Sequence, residues 1–424
     1  MNPSRRKFLQ QSLFAAGSLA FAAHAARAAA GPGPHPGAHD EAYWEKVRAQ
    51  FPLTSKRVFL NNGTIGVSPY KVIDSVYEDM LDCDTFGWHG GGEQEALSAL
   101  ASFLGTKEEE ISLTHNVTEG INIVCWGLPL AAGDEVIITN HEHVGHAGPW
   151  LNRRKLSGVS LVVVDLGKTA EETLHNISKA ISAKTRLISV PHIPCTIGQV
   201  LPVKEICSLA RQRGIWTCLD GAHPPGMLRI DLHDIGCDFY AGCCHKWMLG
   251  PKGTGFLYVA EDKRNVLQAY YGGAGVDTGW DLTTNPFLFK GYAESGHRYF
   301  YGTQNSSLYQ GIARAVAFQE EIGRQAIEER VKALSGYLQD QLIRLHPDMD
   351  MLTPQEQISR AAQVSFRVKG RDMQKFQARC QEKEIIIRYV PENNIHCIRV
   401  STHIYNTYAE LDYFLSEVEQ FVFS

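Results

Sequence analysis

No long run of lysine or arginine interrupts this chain, and 41 basic residues against 46 acidic ones leave a net charge of −5. Without a basic surplus there is little to neutralise a phosphate backbone, so nucleic acid is not an expected partner. Two cysteines spaced Cys-x-x-Cys occur nowhere among the ten, and Cys243-Cys244-His245 are consecutive, so no zinc-finger spacing exists. Most thiols sit inside apolar runs, as Cys125, Cys207, Cys218, Cys237, Cys243 and Cys397 do, and read as small core residues rather than as a disulfide framework. His141-Glu-His-Val-Gly-His146 resembles a metal site but has glycine where the metalloprotease pattern needs its second histidine. Gly272-Gly-Ala-Gly275 lacks the dinucleotide spacing and reads as a turn. No internal repeat is visible.

What is present starts with an unusual N-terminus. Ser4-Arg5-Arg6-Lys7-Phe8-Leu9 leads into a small, apolar stretch from Ser12 to Ala23 and then Ala28-Ala29-Ala30, the order of a basic region, a hydrophobic region and a small-residue cleavage site. The stretch is shorter than the roughly 18 residues that span a bilayer, so cleavage is expected rather than a stable membrane anchor. The paired arginines followed by Phe8-Leu9 resemble a twin-arginine signal; a plain secretory signal is the alternative. The expected location is periplasmic or secreted, with the twin-arginine machinery as a partner and the protein crossing already folded.

Residues 1–30 are thus expected to be the signal. Residues 31–75 form a linker, opened by Gly31-Pro-Gly-Pro-His-Pro-Gly37, and a segment packing on the smaller domain. Residues 76–325 make a large domain and 326–424 a small C-terminal α+β domain. With 44% hydrophobic residues in 424, the mature chain can bury a full core. From about Glu93 to Tyr258, short apolar runs (Asp134 to Thr139, Leu161 to Val164, Leu187 to His192, Ile215 to Leu219, Phe239 to Ala241, Gly255 to Val259) alternate with helical patterns such as Val203 to Arg213. That alternation predicts an α/β fold with a mainly parallel sheet covered on both faces. Beyond a long helical stretch from Ser307 to about His346 come strands at Gln363 to Val368, Ile385 to Val390 and Ile395 to Ser401, with a last helix from Tyr408.

In such sheets, ligands sit beyond the carboxyl ends of the strands. Two chemical groups fall there: Asp220-Gly-Ala-His223 after one apolar run, and Gly242-Cys-Cys-His-Lys246, whose lysine lies twenty-six residues after Asp220, following the next. An aspartate after Ile215 to Leu219 is costly to bury unless something pairs with it. Taken alone, Asp220 could cap a helix and Lys246 could be solvated. Their co-occurrence, together with the Pro251-Lys-Gly-Thr-Gly turn, singles them out.

With Leu60-Asn-Asn-Gly-Thr64, Thr114-His-Asn-Val-Thr-Glu-Gly120, His141-Glu-His143, Leu219-Asp-Gly-Ala-His223, Asp238-Phe-Tyr-Ala-Gly-Cys-Cys-His-Lys-Trp247, Ile398-Arg-Val-Ser401 and Tyr405-Asn-Thr407 in view, the chain resembles the class V aminotransferase family, and within it isopenicillin N epimerase-like proteins. The resemblance implies pyridoxal 5′-phosphate (PLP), fold type I with a seven-stranded-type sheet, and a homodimer. It implies that Lys246 holds the cofactor as a Schiff base, Asp220 pairs with the pyridine nitrogen, His143 stacks on the ring and His223 bonds the phenolic oxygen. Thr118, with the amides of Glu119 and Gly120 at a helix start, would take the phosphate; plain capping is the bland alternative for Thr118. His245 resembles a further phosphate ligand, and Thr303, after Gly302, a residue sent to the neighbouring subunit's phosphate. Arg399 resembles the arginine that grips the substrate carboxylate, a task suited to a planar bidentate donor, and Asn62 is placed with it at the substrate.

The expected activity is therefore chemistry at the Cα of an amino-acid-like small molecule: epimerase-like, or else a C–S lyase or transaminase. A non-catalytic PLP-fold binding protein is the further alternative, though binding alone does not need Lys246. Epimerisation would need a second acid-base group, for which Tyr301, Tyr405 and His146 are candidates. Efficient cysteine desulfuration is not expected. The interval from Arg388 to Arg399 is too short for a mobile thiol loop, and Cys397 lies within an apparent strand. Cys195 and Cys243 stand where the family has asparagine and serine.

Overall fold

The computed structural model describes residues 37–87 and 91–424. The signal features at Arg5, Arg6 and Ala28 to Ala30 lie outside those residues.

A central sheet is built from β1 (Ile111–Thr114), β2 (Glu135–Thr139), β3 (Ser160–Val164), β4 (Thr185–Pro191), β5 (Trp216–Gly221), β6 (Phe239–Cys243) and β7 (Gly255–Val259). Its order is β1-β7-β6-β5-β4-β2-β3. Pairings from β6 through to β3 are parallel, while β7 runs antiparallel to both β6 and β1. This is the α/β, mainly parallel seven-stranded arrangement of fold type I. Its inner strands read as continuous apolar runs because both faces are covered. Adjacent residues enter opposite cores: Ile137 and Ile188 pack with Leu100, Ile206 and Ile312, whereas Val136 and Leu187 pack with Ile121, Val124 and Trp150. At about 25 cal/mol per Å² of apolar area buried, these two layers supply most of the sheet's stability.

A second, antiparallel sheet of β8 (Met349–Met351), β9 (Gln363–Val368), β10 (Arg388–Val390) and β11 (Cys397–Ser401) has the order β8-β9-β11-β10. Helices Arg324–Leu345, Met373–Glu382 and Tyr408–Phe423 cover it through Leu334, Leu338, Phe376 and Phe414. Two expectations change in detail. The helical stretch after Ser306 is two helices, Ser306–Ile322 and Arg324–Leu345, broken at Gly323, whose φ of 94° is left-handed. The run from Ile385 to Val390 is not one strand, because the chain changes partner at Ile387: Ile385–Ile386 pairs in parallel with Val58–Phe59, while Arg388–Val390 pairs with β11.

That partner change places the N-terminal segment. Leu60 N donates to Ile386 O, Ser401 N donates to Leu60 O at 2.7 Å, and Asn61 bridges to Ser401. The segment after Phe59 is thereby stitched along β11, which carries Gly63 and Thr64 to the carboxyl edge of the large sheet.

Candidate active site

A cavity of about 290 Å³ opens at that edge. Its wall includes Lys246, Asp220, His143, His223, His245, Thr118 and Arg399, brought from β5, β6, β11 and two helix starts.

Lys246 stands just beyond β6 on a turn held from three sides. Cys244 N donates to Thr254 O, Gly250 N to Cys244 O, and Gly66 N to His245 O at 2.8 Å. A β-carbon at Gly66 would lie 2.0 Å from Lys246 O, so only glycine lets the N-terminal segment pass this close.

Asp220 ends β5 and is 6% exposed. Its Oδ1 accepts from Ala222 N at 2.9 Å, and its Oδ2 lies 3.9 Å from His146 Nδ1. His223 is buried deeper. Trp247 Nε1, which can only donate, gives its proton to His223 Nδ1 at 3.0 Å. Burial, and then the charges of Lys246 and Arg399, hold this imidazole well below its ordinary pKa, so it is neutral. With Nδ1 accepting, the ring proton must sit on Nε2, and that atom has no partner among the described residues. A buried donor left open in a cavity wall costs about 1–3 kcal/mol, which an acceptor in the cavity would offset.

His143 caps helix Val144–Ser157 by accepting from Gly145 N through Nδ1 at 3.0 Å. Burial, with the charge of Lys246 second, lowers its pKa and leaves the ring neutral. Thr118 is in the first turn of helix Val117–Gly127, and a β-carbon at Gly145 would stand 2.3 Å from its hydroxyl. The two amides expected beside it are engaged elsewhere. Glu119 N donates to the capping Asn116 Oδ1 at 3.0 Å, and Gly120 N makes the first intrahelical bond to Asn116 O. Neither Glu119 nor Gly120 is in the cavity wall; Asn116, Val117 and Thr118 are. The N–H groups of Val117 and Thr118 precede the helical ladder, which makes them the donors left for an anion.

His245 lines the cavity, but Nδ1 donates to Thr254 O at 2.9 Å and burial lowers its pKa to about 4. Its free Nε2 is then an acceptor, able to donate to a phosphate only after taking up a proton. Thr303 lies in a separate cavity of about 410 Å³ with Glu93, His297 and Tyr309, so within one chain it does not reach Lys246.

Arg399 is fully buried. Nη1 donates to Cys195 O at 2.8 Å, Nη2 to Asn61 Oδ1 at 3.2 Å and to Thr64 Oγ1 at 3.0 Å, while Nε has no partner among the described residues. Burial and the charge of Arg388 bring its pKa down to about 10. Asn62, the residue expected at the substrate, lies behind the wall with its Oδ1 accepting from Tyr405 Oη at 2.7 Å. The neighbour Asn61 makes the arginine contact instead, because the residues of an extended segment alternate in direction. Arg388, not among the expected site residues, joins the wall directly opposite Arg399 in the β10–β11 register and is paired with Glu392.

Of the three acid-base candidates, none is in the wall. Tyr405 is buried on Asn62, Tyr301 packs at a tilt against Tyr271, and His146 is sealed behind Asp220. The thiols are constrained as well. Cys397 is buried and pushed up to about 12 by burial, and Cys243, pushed up to about 11, donates to Ala222 O. Cys195 lines the cavity.

A lysine amine, a buried carboxylate, an open imidazole N–H and a helix start around one cavity fit the substituents of PLP, and with this sheet they define a PLP-dependent enzyme of fold type I. The Aminotransferase class-V model matches residues 92–414, and the chain belongs to that family. Isopenicillin N epimerase of Amycolatopsis lactamdurans is 28% identical over 391 residues, 87% of this chain and 96% of that protein. Cysteine desulfurase of Enterobacter sp. (strain 638) is 30% identical over 336 residues, 73% and 80% of the two chains. Among solved structures, the cystine C-S lyase in complex with its product cysteine persulfide superposes with a TM-score of 0.79 at 25% identity, covering 88% of this chain and all of that one.

Proposed function

We propose that this enzyme removes the α-proton of an amino-acid-like substrate with a single base, Lys246, and expels a group from Cβ when the substrate carries one. The observation that carries this reading is the cavity wall itself: it holds one amine, Lys246, together with Arg399, and none of the three candidates for a second acid-base group. Arg399 would bind the substrate carboxylate through its unpartnered Nε edge, its other face being fixed by Cys195 O, Asn61 and Thr64. Asp220 would hold positive charge on the pyridine nitrogen, His223 would donate Nε2–H to the phenolic oxygen, and neutral His143 would cover the ring face. When bound, PLP supplies the electron sink for charge developing at Cα. Lys246 then needs only to hold and return one proton. The likeness to a cystine C-S lyase supports elimination; the likeness to isopenicillin N epimerases supports epimerisation as the second reading, which would require Lys246 to serve both faces or a second subunit to contribute.

Purified holoenzyme offered L- and D-amino acids with and without a leaving group on Cβ, in deuterated water, separates the two. Elimination products and α-deuterium without change of configuration are expected; interconversion of L and D forms would favour the epimerase. Desulfuration by a cysteine nucleophile is not expected, because Cys397 and Cys243 are held rigidly and away from their thiolate forms. Alanine release from L-cysteine that is abolished by Cys397→Ser or Cys195→Ser would reverse that conclusion.

Export in the folded state is part of the proposal and rests on Arg5-Arg6-Lys7-Phe8-Leu9. Arg5→Lys together with Arg6→Lys is expected to leave holoenzyme in the cytoplasm on cell fractionation. Undiminished periplasmic delivery would assign the signal to the general secretory route.

A further inference from the structure

Behind the cavity, His146 has no place in the chemistry so far, yet it is a fully buried histidine between two carboxylates. Its Nδ1 lies 2.5 Å from Glu142 Oε2, a contact that is short but poorly aligned as a hydrogen bond, and 3.9 Å from Asp220 Oδ2. On its far side, Nε2 meets Ser189 Oγ at 2.7 Å, and the same oxygen accepts from Trp150 Nε1 at 3.1 Å. Glu142 is itself fixed, its Oε1 accepting from Thr139 N and Thr139 Oγ1, both at 2.8 Å. Four elements therefore clamp one imidazole: the loop after β2, the following helix, β4 and β5.

We propose that His146, oriented by Glu142 and Ser189, is a positioning residue that separates the two carboxylates and keeps Asp220 aimed at the cofactor's pyridine nitrogen. This rests on the reading that Asp220 pairs with that nitrogen. Two carboxylates converging on one buried point repel, and unless a cation or donor stands between them one takes up a proton. His146 is that separator. Burial alone would lower its pKa, but the close Glu142 carboxylate, and the charge of Asp220, outweigh burial and raise it. Glu142 and Asp220 are the charged groups that bear on it. The Cys218 thiol on β5 shares Ser189 with the imidazole and is pushed up by burial, hence neutral.

Removing the imidazole leaves the Glu142 and Asp220 carboxylates with no donor between them. His146→Leu is expected to weaken PLP retention by holoenzyme about tenfold, the equivalent of one pKa unit on the paired group, and to shift the pH profile of the bound cofactor's visible band. His146→Asn, which keeps a donor and most of the packing, serves if the leucine variant does not fold and is expected to move both readouts in the same direction by less. The deciding variant is His146→Leu combined with Glu142→Gln. With one carboxylate neutralised the repulsion is gone, so cofactor dissociation should return to within about twofold of wild type, the usual additivity error, although the packing defect persists. If the double variant loses cofactor as readily as His146→Leu, or if neither single variant moves dissociation or the pH profile, His146 is only a packed core residue and the proposal fails. Asp220→Ala separates the two levels of inference: should it leave cofactor binding and the band unchanged, the pairing of Asp220 with the pyridine nitrogen is wrong, whatever His146 does.

Discussion

Lys246→Ala is expected to yield a folded protein that no longer holds PLP covalently and whose kcat/KM falls by about four orders of magnitude or more. The loss combines the covalent anchor with the general base, and a positioned base by itself contributes about 10²–10⁴-fold. Folding should survive because the half-buried side chain borders a cavity while the turn around it is held by backbone bonds from Thr254, Gly250 and Gly66. Alanine leaves every one of those in place, and a substitution of this kind costs about 1 kcal/mol or less. Borohydride treatment followed by denaturing dialysis reads the covalent link; turnover and thermal melting read the rest. A variant that keeps reducible, lysine-bound cofactor and full turnover would place the chemistry on another lysine, and Lys252, whose pKa burial lowers, would be the first to examine.

Arg399→Leu is expected to lower kcat/KM for amino acids by about 10²–10³-fold, since truncating one partner of a buried, hydrogen-bonded charge pair costs about 2–5 kcal/mol. The unliganded protein carries this cation fully buried, with only neutral acceptors and with Arg388 opposite. Its lowered pKa of about 10 records that cost. A bound substrate carboxylate would relieve it, so under the proposed function the effect should fall on substrate and not on the fold: melting of the unliganded variant should stay within about 4 °C of wild type, since a ΔΔG near 1 kcal/mol moves a chain of this size by that much or less. Arg399→Lys should recover little, because an ammonium cannot reproduce the fork that Cys195 O, Asn61 and Thr64 orient. The control is an amine lacking the carboxylate. Arg399→Leu should process it no worse than wild type does, and an equal loss on both substrates would mean that Arg399 supports the cavity wall without gripping the substrate.

Much of this site is legible in the linear pattern. Asp220 and Lys246 stand at the ends of consecutive apolar runs, and a parallel sheet puts all such ends on one edge. The cap at Asn116 is equally local: an asparagine before a helix takes the amide three residues on, which engages Glu119 N and leaves the N–H groups of Val117 and Thr118 as the open donors of that helix start. The register of Asn61 against Asn62 could not be read, because which of two adjacent asparagines faces the cavity depends on how residues 58–62 thread between Ile386 and Ser401.

The sequence by itself determined the family, the alternation that makes the large sheet, and the identities of the lysine, aspartate and histidines at its edge, because those rest on local pattern and on strand ends that need no distant partner. Tertiary structure decided the rest. Arg388 enters the wall only through its pairing opposite Arg399 in the β10–β11 register, His146 meets Asp220 only because β5 lies beside β4 and below the helix after His143, and Gly66 is indispensable only because the N-terminal segment crosses within contact of Lys246 O. The first is set by strand register and the other two by packing between residues far apart in the chain, and a linear pattern carries no record of either.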